Sequence, residues 1–164
     1  MTKTVQAFLL VLALAVASPA QTKISGVSTC AAPDQFQKID IGDKPDHAFA
    51  ISHGKCTWTK PMDMAGIQTH DDVVTGSDEI NGTSARTGGY VVGTMSNGDK
   101  FTVQTTGTDT YKDGKPVTSE GTWSFTNGTG KLKGIKGKGT YKGTPDAQGN
   151  MVFAIKGDYT LPKK

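Results

Sequence analysis

Three runs in the second half of the chain change polarity at every second residue, and a period of two admits β-strand and little else. Phe101, Val103 and Thr105 alternate with Thr102, Gln104 and Thr106, and Trp123 and Phe125 alternate with Thr122, Ser124 and Thr126. Near the end Phe153, Ile155, Tyr159 and Leu161 share one parity with Gly157 between them, while Lys156, Asp158 and Thr160 take the other. Each run reads as a strand with one buried and one wet face. Beyond residue 20 no window repeats apolar positions at helical spacing.

Turn signals separate these runs at short intervals. Asn97-Gly98, Asp113-Gly114 and Asn127-Gly128 tolerate the positive backbone angles of tight hairpins, and residues 144–150 read as a longer loop. Counting strands near residues 47–53, 56–60, 71–76, 87–95, 100–108, 119–126, 134–142 and 151–161 predicts an all-β chain of about eight strands. A single antiparallel β-barrel is the expected form, because closure removes exposed sheet edges. The barrel domain is placed at 47–164, preceded by an irregular, polar N-terminal arm over 21–46.

Residues 1–20 read as an export signal. Lys3 supplies a positive start, Val5 to Val16 is an apolar run broken only by Gln6, and Ser18-Pro19-Ala20 suits cleavage after Ala20, with Ala17 as the second choice. The run is too short to span a bilayer, so the mature chain is expected to be free of the membrane, secreted or periplasmic. In such an oxidising compartment Cys30 and Cys56 are expected to form a disulfide. Their spacing matches neither a CxxC redox pair nor a zinc-ligand pair.

The glycine- and lysine-rich stretch from Phe125 to Gly143 invites a phosphate-binding reading, which its surroundings oppose. A P-loop or dinucleotide fingerprint leads into a helix, whereas Gly134, Gly137 and Gly139 lead into Thr140-Tyr141-Lys142, a strand-favouring run. Glycine inside a strand marks a bend or the close approach of another backbone, and Lys136, Lys138 and Lys142 then line an outer face. The formal charge is only +3 and Arg86 is the one arginine, so no nucleic-acid partner is expected.

The segment Asn127-Gly128-Thr129-Gly130-Lys131-Leu132-Lys133-Gly134-Ile135-Lys136-Gly137 resembles the GGTGxFxxxxG segment of the dirigent and allene oxide cyclase-like barrel proteins. Asn127 replaces the first glycine and Leu132 the aromatic residue. The later stretches GTYKG and GDYTL fit the same order of strands, as in small secreted bacterial proteins that share this barrel. The resemblance implies an eight-stranded antiparallel barrel of the calycin-like, allene oxide cyclase-like kind, and a trimeric assembly. It transfers no catalytic residue to this chain.

Other chemistry is sparse. On the strand HAFAISH, His47 and His53 face one way but stand roughly 20 Å apart at about 3.3 Å per residue, too far to share an ion, and nothing requires His70 to join them. Asp71, Asp72, Asp78 and Glu79 flank Val73-Val74 without the ligand order of an EF-hand and read as a solvated hairpin. No GxSxG elbow is present, and no metal or cofactor is expected. Asn81-Gly82-Thr83 and Asn127-Gly128-Thr129 are glycosylation sequons that also read as turns.

The aromatic residues Phe49, Trp58, Tyr90, Trp123, Phe125, Tyr141 and Tyr159 are spread over separate strands, where inward-pointing rings would either fill a core or line a ligand cavity. Two functions are compatible with that pattern. One is a non-enzymatic barrel that binds a small, partly apolar ligand or a partner, using Phe49, Trp58, Tyr90, Trp123, Phe125 and Tyr159. The other is a dirigent-like or cyclase-like enzyme that steers a reactive intermediate in the lumen. An inward ionisable group beside an apolar pocket separates the second from the first.

Overall fold

The computed structural model describes residues 21–163, and the export signal read over residues 1–20 lies outside them. Ten strands follow one another: β1 Thr22–Cys30, β2 Gln35–Asp40, β3 His47–Lys60, β4 Asp63–Met64, β5 Ile67–Asn81, β6 Ser84–Met95, β7 Lys100–Lys112, β8 Lys115–Gly128, β9 Lys136–Pro145 and β10 Met151–Thr160. No α-helix occurs among the described residues, where Gly130–Leu132 forms a single 3-10 turn. The sheet order is β2-β3-β1-β10-β9-β8-β7-β6-β5-β4, and pairing of β3 with β5 closes it. Eight strands therefore form a closed antiparallel barrel, with β2 and β4 as additions.

Closure depends on the length of β3, which joins the two runs expected at 47–53 and 56–60 into one strand. One edge of β3 pairs with β5 from His47↔Asn81 to Thr57↔Asp71. Its other edge pairs with β1 at Val27↔Lys60 to Cys30↔Cys56, and then with β2 at Gln35↔His53 to Asp40↔Ala48. β1 and β2 thus lie end to end along the same edge. The irregular arm expected over 21–46 is corrected here: β1 is a full member of the barrel, paired to β10 along its whole length from Thr22↔Tyr159 to Cys30↔Met151.

Cys30 and Cys56 stand opposite each other in the β1–β3 ladder and are joined by a disulfide. The bond crosses the seam just where β1 ends. With a sequence separation of 26 between the cysteines, the chain-entropy model assigns the link about 3.5 kcal/mol of stability. Thiol titration of the unfolded, unreduced protein is expected to find no free cysteine; two thiols per chain would refute the link.

The ends of the barrel differ. At one end the connections 61–66, 96–99 and 129–135 fold over the opening, and Met64, Met95 and Leu132 are fully buried there among Ile24, Met62, Ile67, Ile135 and Tyr159. The backbone N–H of Ala65 donates to Tyr159 Oη at 2.9 Å, tying this plug to β10. Each large apolar side chain so buried contributes roughly 1.5–3 kcal/mol. At the other end the hairpin turns Asn81–Ser84 and Lys112–Lys115 leave the barrel open.

The glycine-lysine stretch forms the turn at the closed end and then β9, where exposed Lys136, Lys138, Thr140 and Lys142 alternate with less exposed Gly137, Gly139, Tyr141 and Gly143. Gly134 has a positive φ of 77°, as the turn into β9 demands. No helix of the described residues is long and apolar enough to cross a membrane.

Candidate functional site

Above the apolar plug the barrel is hollow. The cavity measures about 810 Å³, and Trp58, Phe101, Trp123, Phe125, Tyr141 and Phe153 supply its aromatic wall. The rings support one another edge to face, with centroids 5.8 Å apart for Phe101 and Phe125, 5.1 Å for Trp123 and Phe125, and 5.9 Å for Tyr141 and Phe153.

Glycines explain why so many rings leave space between them. Inward positions 139 and 157 are glycine, and a Cβ at either would strike the six-membered ring of Trp123; at 107 or 121 it would strike the Tyr141 hydroxyl. The Trp123 and Tyr141 rings thus lie against stretches of wall that have no side chain. The lumen is left open because the bulk of one strand fits the bare backbone of the next.

Three carboxyl groups face this lumen, Asp72 and Asp78 from β5 and Asp109 from β7. Asp72 is 4% exposed, and its Oδ1 has no hydrogen-bond partner. Burial raises its pKa to about 7; the nearby Trp58 indole opposes the rise and the charge of Asp71 adds to it. The influence of Trp58 falls short of a formed bond, since its Nε1 is itself buried without a partner.

Nearer the open end, burial and then the charge of Asp109 raise Asp78 to about 6. Burial also raises Asp109, against the opposing effect of the Ser119 hydroxyl, and Asp109 Oδ1 is left without a hydrogen-bond partner. Tyr111 is pushed up to about 12 by burial and by the charges of Asp78 and Asp109. Burial likewise raises Tyr141, with Thr87 as the main opposing contact. Among the described residues no lysine, arginine or histidine forms an ion pair with Asp72, Asp78 or Asp109, and no group of three or more metal-ligating side chains is assembled.

Of the aromatic residues singled out in the sequence, Trp58, Trp123, Phe125 and Tyr141 meet in the lumen. Tyr159 packs in the plug below it. Phe49 and Tyr90 do not reach the cavity: they are 44% and 51% exposed on the outer surface. Strand parity is the reason, since β3 turns Cys56 and Trp58 inward while Phe49 takes the opposite parity, and β6 turns Thr87 and Val91 inward while Tyr90 does not.

The acidic hairpin is corrected in part. Asp71 and Glu79 are exposed, but Asp72 is buried and Asp78 half-buried, because both share the inward parity of Val74 and Ile80, a phase visible in the sequence. Phe101, Asp109, Tyr111 and Phe153 join the wall by the same rule. Of the histidines, only His53 borders the cavity, its Nδ1 2.9 Å from Asp34; His47 Nδ1 lies 2.6 Å from Asp43 away from it, and His70 is exposed.

No family model matches the chain, and no curated protein matches it. Among solved structures it is similar to a conserved protein of unknown function from Rhodopseudomonas palustris, with a TM-score of 0.56 and 11% identity over 86% of this chain and 99% of that one. That likeness is one of fold. A pterocarpan synthase dirigent protein aligns at a TM-score of 0.49 and 12% identity, covering 98% of this chain and 100% of its own. Pyocyanin demethylase aligns at 0.40 and 15%, covering 84% and 99%.

Proposed function

We propose that this barrel acts outside the cytosol as a binding protein for a small, partly apolar molecule held in its lumen. The carrying observation is the open cavity of about 810 Å³ walled by Trp58, Phe101, Trp123, Phe125, Tyr141 and Phe153. Its size falls in the range of small-molecule sites, about 300–1,000 Å³, and a mostly apolar wall with a few convergent polar groups is their usual make-up. The Cys30–Cys56 bond supports an oxidising location.

The neutral fluorescent probe N-phenyl-1-naphthylamine tests the reading. It is expected to brighten and saturate at one site per barrel, and the luminal substitution Thr105→Trp should abolish the signal while the protein stays folded. A folded barrel that leaves the probe dark, or a T105W variant that binds it equally well, would refute luminal binding.

A second reading, catalysis in the same lumen, is favoured by one observation. Asp72 is an unpartnered carboxyl whose pKa of about 7 suits general acid or base work at neutral pH. If it does such work, Asp72→Asn will abolish turnover of a bound molecule and preserve its binding. If it does not, binding will be the whole activity.

A further inference from the structure

We propose that the lumen selects a small organic cation, its apolar or aromatic body against the ring wall and its positive nitrogen beside Asp78 and Asp109. The inference rests on the luminal binding reading and names the ligand class. A lumen that presents carboxyl groups from two strands, β5 and β7, with no ion-pair partner for them among the described residues, leaves their charge unmatched. Asp72 is an independent sign of the same deficit, because this nearly fully buried carboxyl lines the cavity with Oδ1 unpartnered.

The aromatic wall fits the same occupant. Electron-rich faces of tryptophan, tyrosine and phenylalanine attract a desolvated cation, most strongly where water is excluded. An anion would instead meet like charge, and a bare metal ion would find no assembled set of ligands among the described residues.

The groups facing Asp78 and Asp109 are known from every neighbouring strand. Tyr111 lies on β7, Ser119 on β8, Tyr141 on β9 and Thr87 on β6, and none of them is basic. Lys38, His53 and Lys55 line the cavity from β2 and β3, where Lys38 pairs with Asp40 at 3.8 Å and His53 with Asp34 at 2.9 Å, and exposed Lys55 acts on Asp34. Asp46 and Asp113 add carboxylates at the cavity margin. An arriving cation would draw the inner carboxyls into their charged form and release protons. Affinity should therefore rise as pH rises across the range in which those carboxyls ionise.

Benzyltrimethylammonium and neopentylbenzene have the same shape and differ by one charge, which makes them the probes of choice. Competition with N-phenyl-1-naphthylamine at about pH 8 is expected to show the cation at least about tenfold tighter than its neutral isostere. The advantage should shrink at about pH 5, and calorimetry in buffers of different ionisation enthalpy should register proton release between them. The double variant D78N/D109N should lose the cation preference while holding neopentylbenzene as the native protein does. Neopentylbenzene binding as well as the cation in the native protein would overturn this inference and leave luminal binding intact. Failure of all three probes to bind a folded barrel would overturn both.

Discussion

Asp72→Asn is expected to stabilise the barrel at about pH 8 by roughly 2–4 kcal/mol and to remove much of its dependence on pH. The folded carboxyl has a pKa of about 7, set first by burial, against an ordinary value of 3.8. A pKa raised on folding means that the native state holds the proton more tightly. The stabilisation is therefore complete below about pH 4, is lost as pH rises toward about 7, and stays constant beyond. Asparagine has nearly the same shape and no charge to desolvate. Asp78, raised to about 6, keeps a smaller slope of the same sign in the variant. Urea unfolding of both proteins across this range decides the matter: a native protein as stable at pH 8 as at pH 5, or a variant with an unaltered slope, would refute the buried-acid account.

Gly137→Val is expected to cost about 3 kcal/mol or more, roughly 10 °C in melting temperature for a chain of this size. A Cβ at this position would run into the Asp158 carbonyl and lie 2.8 Å from Tyr159 Cα. Both belong to β10, which is paired to β9 through Gly137↔Tyr159 and its neighbours, so neither can yield without breaking the ladder. The adjacent Lys138 is exposed on the outer face, and Lys138→Gln should stay within about 0.5 kcal/mol. Thermal melts of the two variants test the role of the glycine-rich stretch; a larger loss from Lys138→Gln would return it to anion binding.

What could be read in advance was the part of the fold written as contrast between neighbouring side chains. β7, β8 and β10 alternate cleanly because one face meets a ring-lined interior and the other meets water. β1 has no such contrast: its inward residues include Ile24, Gly26 and Ser28, and Gly26 is bare because Trp58 and Met62 occupy the space in front of it. β2 is exposed throughout and has no buried face to reveal. The inward carboxyls are hidden in the sequence for a related reason. Aspartate beside Val73-Val74 suggests a wet turn, whereas phase with Val74 and Ile80 governs where it points. Residue type named Phe49 and Tyr90 as wall candidates; parity put them outside.

The end-to-end arrangement of β1 and β2 along β3 also bears on how the chain reaches its native form. β1 begins at Thr22 and its partner is Tyr159 in the last strand, so the two extremities of the domain must meet before the ring is complete. Every hairpin from β5 onward can assemble with its sequence neighbour, but this final ladder spans nearly the whole polypeptide and has a correspondingly high entropic barrier. Until β10 arrives, β1 has only its short ladder with β3 to hold it. The covalent clasp at the end of that ladder keeps the first strand on its template and makes the long-range search one for a waiting edge rather than for a free terminus.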